Sequence, residues 1–200
     1  MSLALNTVVC NEEDRIVGLL GHASAFCDEL VVVVDPGSED GTYDLARDFG
    51  AKTLYHPTHS DFCEPQRIYA AEHTHADWIL LLDGDEYVAL ERLPELLALD
   101  RERYGAAKLP RLGLVDGIPI HDQLDAHVRW FERGTVRYGT APHTSIFYVA
   151  GTKQVFEPQT HGWIINAKTM YEQRLDEARS ARIFGGESPA PLDRYSETVR

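Results

Sequence analysis

Trp78-Ile79-Leu80-Leu81-Leu82-Asp83-Gly84-Asp85-Glu86 is an apolar run that stops at three carboxylates. The run suits a strand buried on both faces and is too short for a core helix. Its ending is costly, because close like charges repel and resist desolvation unless a cation sits among them. Asp-x-Asp at a strand terminus therefore reads as a seat for a divalent ion with oxygen ligands, which keeps water or phosphate oxygens in its other positions. A solvated acidic turn, with Gly84 as the turn residue, is the alternative.

Upstream, the chain alternates between two periodicities. Residues 3–9, 30–34 and 51–55 read as strands, and Leu30-Val31-Val32-Val33-Val34 as one buried on both faces. Residues 12–26 place Ile16, Leu19, Leu20 and Ala23 at helical spacing. After Asp40-Gly41-Thr42, Tyr43, Leu45, Ala46 and Phe49 do the same. Gly50 suits the left-handed residue that closes that helix. A loop at 56–64 leads to a third helix at 65–75. This βαβαβαβ order predicts an α/β fold, a mostly parallel sheet with helices on both faces. A short helix is expected at 93–99. Past residue 100 the pattern is less regular, with strands at 128–131 and 145–149 and an amphipathic helix at 168–184. Residues 1–184 are expected to form a single domain, and the Pro-, Ser- and Gly-rich stretch 185–200 a loosely held tail.

With 44% hydrophobic and 26% charged residues, the 200-residue chain has the balance of a soluble globular protein rather than a disordered one. No apolar stretch approaches the roughly 20 residues that span a bilayer. The N-terminus lacks the basic region of a signal peptide, so a cytoplasmic location is expected. Cys10, Cys27 and Cys63 are too few and too scattered for a disulfide framework. Residues 1–100 hold 5 Lys+Arg and 20 Asp+Glu, a charge of −15; residues 101–200 hold 14 and 12, a charge of +2, which together give the net −13. The acidic first half argues against a nucleic-acid surface there. The basic residues of the second half either face an anionic substrate or are solvated surface charges.

In open α/β sheets, ligands bind beyond the carboxyl ends of the strands. Asn11-Glu12-Glu13 follows the first strand, Asp35 the second and Asp83-Gly84-Asp85-Glu86 the fourth, so carboxylates collect on one rim. Each also has a plain structural reading: Glu12 and Glu13 suit a helix start, and Asp35-Pro36-Gly37 suits a turn. No Gly-x-Gly-x-x-Gly follows the first strand, and no Gly-Lys-Ser/Thr loop is present. A nucleotide held by side-chain carboxylates and a bridging metal fits better than a nicotinamide or P-loop site.

Val8-Val9-Cys10-Asn11-Glu12-Glu13, Val34-Asp35-Pro36-Gly37-Ser38-Glu39-Asp40-Gly41-Thr42, Gln66-Arg67 and Leu82-Asp83-Gly84-Asp85-Glu86 occur in that order. In order and spacing across residues 3–95 they resemble the blocks of family 2 glycosyltransferases, and most of all the bacterial lipopolysaccharide-core glucosyltransferase type. The resemblance implies the GT-A fold, with residues 1–100 as a nucleotide-sugar half and 101–184 as an acceptor half. It implies that Val8, Cys10, Asn11 and Glu12 line the donor pocket at the end of the first strand, with Cys10 where an aromatic is common. Asp35 would hydrogen-bond the base or ribose, and Gln66 and Arg67 would lie near the base or diphosphate. Asp83 would touch the ribose or a metal-bound water, and Asp85 would ligate Mn²⁺ or Mg²⁺.

In the second half, Asp125-Ala126-His127-Val128-Arg129-Trp130-Phe131-Glu132-Arg133-Gly134 resembles a later block of the family. Pro142-His143-Thr144 falls where that type has His-Glu, so Thr144 replaces the expected glutamate; His161 matches a later histidine. Transfer needs a metal to neutralise the leaving diphosphate. It needs donors for developing charge, for which Arg129 and Arg133 are the candidates. It also needs a base for the acceptor hydroxyl, for which Asp125 comes first and His143 second. A structural hydrogen bond or a third place in the metal shell beside Asp83 and Asp85 is the other reading of His143.

The expected activity is metal-dependent transfer of a hexose from a UDP- or GDP-sugar to a hydroxyl of a glycan, lipid-linked or protein acceptor. Inversion is implied by the resemblance. One rival is a magnesium-dependent phosphohydrolase, in which the first Asp of such a motif is the nucleophile. In those enzymes the motif normally sits on the first strand. The other rival is a non-catalytic nucleotide-sugar-binding module, suggested by Thr144.

Overall fold

Valine- and leucine-rich runs build one half of the sheet. β1 (Leu3–Val9), β2 (Glu29–Val34), β3 (Lys52–Tyr55) and β4 (Trp78–Asp83) lie side by side in the order β3-β2-β1-β4, all parallel. The structure, a computed structural model, describes residues 2–56, 63–138, 147–148, 153–160 and 162–169. The two-residue period of a strand divides β2 between two cores. Val32 and Val34 join Leu3, Leu5, Leu80 and Leu82 under α1 (Ile16–Ser24), which buries Ile16, Leu19, Leu20 and Ala23. Val31 and Val33 face the other way, against Ala70 of α3 (Glu64–Glu72). The helices do cover both faces. α2 (Thr42–Phe49) ends at Gly50 with φ 100, the left-handed closure expected of that glycine.

α1 ends at Ser24 rather than residue 26, and the short helix expected at 93–99 ends at Leu97; two further helix bounds differ for local reasons. α1 starts at Ile16 rather than residue 12: Asn11 has φ 55, and residues 13–15 form a turn in which Arg15 N and Ile16 N both donate to Glu12 O. α3 stops at Glu72, where side chains meet its last carbonyls: Thr74 Oγ1 lies 2.9 Å from Ala70 O and His73 Nδ1 2.8 Å from Tyr69 O.

The second half is more regular than its sequence pattern. After β5 (Glu86–Val88) and α4 (Leu93–Leu97), β6 (Tyr104–Val115) and β7 (Ile118–Glu132) form a long antiparallel hairpin. Its alternation is blurred because the register shifts at three points along β6. Its turn is Asp116-Gly117, with φ 49 and 78, an Asp-Gly hairpin signal that the pattern of residues 101–117 obscures. β8 (Val136–Arg137) pairs with β9 (Phe147–Tyr148), the described part of the strand expected at 145–149. β10 (Gln154–Phe156) and β11 (Ile164–Lys168) both run parallel to β6. Lys168 thus ends a strand instead of opening a helix; residues 170–184 and the tail 185–200 lie outside the described residues.

The strand path closes on itself. From β4 it runs β4-β7-β6-β11-β5, yet β5 follows β4 in the chain with only Gly84 and Asp85 between them. The acidic tetrapeptide is therefore the seam of a curled sheet. Trp78 of β4 and Trp130 of β7 fill the core away from the seam, both buried, with ring centroids 4.1 Å apart and 23° between planes. Such a pair adds about 1 kcal/mol beyond its buried area. No helix among the described residues is long and apolar enough to cross a membrane.

Candidate active site

The loops after β1 and β2 are stitched together before they reach any ligand. Asn11 N donates to Ser38 Oγ at 2.9 Å, and Asn11 Oδ1 accepts from Glu39 N at 2.8 Å. The left-handed backbone of Asn11 permits both, and asparagine tolerates that conformation. Glu13 Oε2 accepts from Gly41 N at 2.9 Å. Asp35 is buried at the end of β2, where it accepts from Gly37 N at 2.7 Å and from Gln66 Nε2 of α3 at 2.9 Å. Val8 pairs in register with both Val33 and Asp83, so the three strand ends form one edge. Cys10 and Asn11 are exposed on it.

The seam carries the charge. Asp83 Oδ1 accepts from Arg67 Nη2, and Asp83 Oδ2 accepts from Arg129 Nη2 at 3.1 Å. The same Arg129 Nη2 donates to Glu86 Oε1 at 2.9 Å, and Arg111 Nη1 lies 3.5 Å from that oxygen. Glu86 Oε2 takes the Asp83 amide at 3.0 Å. Asp85 turns the other way, with its Oδ2 3.2 Å from Lys168 Nζ. Topology explains the convergence, for β7, β6 and β11 lie between β4 and β5 on the closed path. Each sends one cation to the seam: Arg129, Arg111 and Lys168.

Burial alone would raise the Asp83 carboxyl, but Arg129 and Arg67 outweigh it and hold that group far below the usual carboxylate range. Burial raises Glu86; Arg129 opposes this, and the Asp83 and Asp85 charges reinforce it. Burial also pushes the Cys63 thiol up to about 11, so at neutral pH it is a packed thiol rather than a nucleophile.

The structure brings Val8, Cys10, Asn11, Glu12, Asp35, Gln66, Arg67, Asp83, Asp85 and Arg129 to one rim. It removes Arg133, whose Nε donates to Ala76 O at 2.9 Å at the opposite end of β4. β7 runs antiparallel to β4, with Trp78 opposite Glu132 and Leu80 opposite Trp130, so only Arg129 reaches the carboxyl end. Four residues of strand separate the two arginines by roughly 13 Å. Asp125 lies farther along β7 toward the rim, where a register shift leaves it between the partners of Pro110 and Arg111. His143, Thr144 and His161 lie outside the described residues. The sequence reading missed Arg111 and Lys168. Arg111 had one signal, a charge inside the otherwise apolar run from Leu109 to Val115. Lys168 had none.

The seam also corrects the premise that three carboxylates need a metal to relieve them. Three arginines and a lysine already do so. Among the described residues no three His, Cys, Asp or Glu side chains group as a metal site. Glu86 is fully buried, whereas the Asp83 and Asp85 side chains are 32% and 15% exposed. Both oxygens of Asp83 face an arginine. Asp85 is therefore the carboxylate suited to a divalent ion, and a hard oxygen donor fits Mg²⁺ or Mn²⁺.

The family model described as glycosyl transferase family 2 matches residues 7–157. The lipopolysaccharide core biosynthesis glycosyltransferase LpsC of Rhizobium meliloti is 30% identical over 141 residues, which cover 66% of this chain and 51% of LpsC. A TPR repeat-containing protein of Synechococcus elongatus is 36% identical over 94 residues, 47% of this chain and 23% of that protein. The chain thus spans about half, or less, of the length of these curated relatives. Among solved structures, S. aureus TarS 1-349 in complex with UDP-GlcNAc superposes with a TM-score of 0.61 at 15% identity, covering 84% of this chain and 59% of TarS. A mycobacterial protein superposes with a TM-score of 0.51 at 15% identity, covering 92% of this chain and 74% of its own. These two likenesses are of fold.

Proposed function

The chain belongs to glycosyl transferase family 2, and we propose that it moves a hexose from a nucleoside diphosphate sugar to an acceptor hydroxyl at the β1-β2-β4 rim. The observation that supports this most is the seam at the end of β4. There Asp83 is locked by two arginines while Asp85, two residues on, stands apart from them. Such a division suits two tasks, one rigid acceptor for a ribose hydroxyl and one ligand for an ion. Asp35, oriented by Gln66, takes the base or ribose. Arg129, which bridges Asp83 and Glu86 at the seam, stabilises negative charge as the diphosphate leaves. A bound Mn²⁺ or Mg²⁺ supplies the remaining neutralisation of that leaving group. Asp125 or His143 takes the acceptor proton, and inversion follows if the acceptor oxygen bonds to the anomeric carbon from the face opposite the diphosphate as the diphosphate leaves. The similarity to LpsC, a lipopolysaccharide core biosynthesis glycosyltransferase, supports a glycan or lipid-linked acceptor; the donor we propose is a UDP- or GDP-sugar.

The phosphohydrolase reading loses ground on geometry. Its nucleophile would be Asp83, and both of that residue's oxygens are held in ion pairs. The test is thermal unfolding with UDP-, GDP-, dTDP- and CMP-sugars, each with and without Mn²⁺. Metal-dependent stabilisation by one nucleotide class is expected, about 2.7 kcal/mol at a hundredfold excess over Kd. Asp85→Ala should abolish transfer while leaving the protein folded. No stabilisation by any sugar nucleotide, or wild-type turnover by Asp85→Ala, would overturn the proposal.

A further inference from the structure

Among the described residues, Asp83, Asp85 and Glu86 meet four cations at the seam: Arg67, Arg111, Arg129 and Lys168. The four cations differ in what they hold. The arginines sit on Asp83 and Glu86, the two carboxylates that no ion needs. Lys168 sits on Asp85, the one that an ion does need, and both side chains are largely enclosed, at 18% and 15% exposed. The backbone of Lys168 is fixed there. Lys168 O accepts from Asp116 N at 2.9 Å, and Ala167 N donates to Asp85 O at 3.1 Å. β11 thus pins the lysine Cα beside Asp85, while its four-carbon stem lets the ammonium swing.

We infer that Lys168 is an internal counter-ion that a divalent ion must displace from Asp85, and that the displaced ammonium moves onto the donor's diphosphate. This rests on Asp85 being the metal ligand proposed above. An ammonium and a dication cannot share one carboxylate at close range, since their repulsion in a partly enclosed site is large. The chain without donor should therefore bind the ion weakly. A diphosphate gives both cations an anion, so donor and ion each strengthen the binding of the other.

The experiment is titration with Mn²⁺ alone, followed by loss of the electron paramagnetic resonance signal of the free aquo ion. The proteins are wild type, Lys168→Met, Lys168→Gln, Asp85→Asn and Lys168→Met/Asp85→Asn. Each is checked for folding by thermal unfolding. Removing the lysine should tighten Mn²⁺ binding about tenfold, the worth of one partly enclosed ion pair. The gain should vanish in the double variant. If both lysine variants bind Mn²⁺ no tighter than wild type while Asp85→Asn binds it more weakly, the lysine inference fails and the metal ligand stands. If Lys168→Met and the double variant bind Mn²⁺ equally and wild type matches Asp85→Asn, Asp85 is not the ligand and the underlying metal reading fails. A gain in Lys168→Met that persists in the double variant places the competition elsewhere and also overturns the exchange.

Discussion

The two halves of the molecule meet at the seam with opposite charge and opposite construction. The first half supplies acids at or just past strand ends, three of them within the four residues Asp83–Glu86, and one cation, Arg67 of α3. The second half supplies bases from three strands: Arg111 of β6, Arg129 of β7 and Lys168 of β11. Their net charges, −15 and +2, are the large-scale trace of that arrangement. The basic residues do not wait unpaired for an anionic ligand; several are already spent on the carboxylates of the other half. A nucleotide site can thus be built from acids, provided the fold brings their counter-ions from elsewhere in the chain.

The sharpest way to break this joint is Arg129→Met. It leaves Asp83 short of one partner and Glu86 buried beside the more distant Arg111 alone among the cations of the described residues, and removing one member of a buried pair costs about 3–5 kcal/mol. Urea unfolding would read that loss; a loss within 0.5 kcal/mol of zero would mean that the two halves do not depend on the bridge. Gln66→Leu tests the first half alone. It deprives buried Asp35 of a charge-assisted hydrogen bond and should cost about 2 kcal/mol, with weaker donor binding in the same protein.

Asp40→Ala loosens the stitched loops and should cost about 1 kcal/mol at neutral pH. Partial burial opposes the Asp40 charge, but the Thr42 hydroxyl and amide, the Glu13 amide and the Ser38 hydroxyl outweigh it and lower the pKa. A lowered folded-state value means that the stabilisation is complete above the unfolded value, about 3.9, and is lost as pH falls through the folded one. The gap between wild type and Asp40→Ala should therefore be constant from neutral pH down to about 5 and shrink below about 4. Unfolding midpoints across that range would show it. Gly84→Ala has the smallest effect on the fold, under about 1 kcal/mol. A methyl there would sit 3.0 Å from Cγ and Cδ of Glu12, a flexible side chain that can give way. Displacing Glu12 should raise the KM for donor more than it lowers stability.

Much of the first half was legible because its signals are local. Val31 to Val34 announce a buried strand, Gly50 a helix end, and Asp83 to Glu86 an expensive strand terminus, each within a few neighbours. The hairpin of β6 and β7 was not legible, although Asp116-Gly117 marks its turn, since three register shifts interrupt the alternation that would have revealed it. Arg129 and Arg133 looked equivalent in the chain. Antiparallel pairing with β4 separates them, sending one to the seam and the other to the Ala76 carbonyl.

Residue order by itself was enough for the parallel β1–β4 sheet, for helices on both of its faces and for the collection of Asn11, Asp35 and Asp83–Glu86 on one rim. Those features depend on periodicity and on which residues end a strand, and both are short-range properties. The partners of the carboxylates were decided only when the strand path curled from β4 back to β5. That closure sets Arg111, Arg129 and Lys168 against a tetrapeptide far from them in the chain, and local pattern, which can mark a lone charge such as Arg111, does not say which carboxylate it will meet.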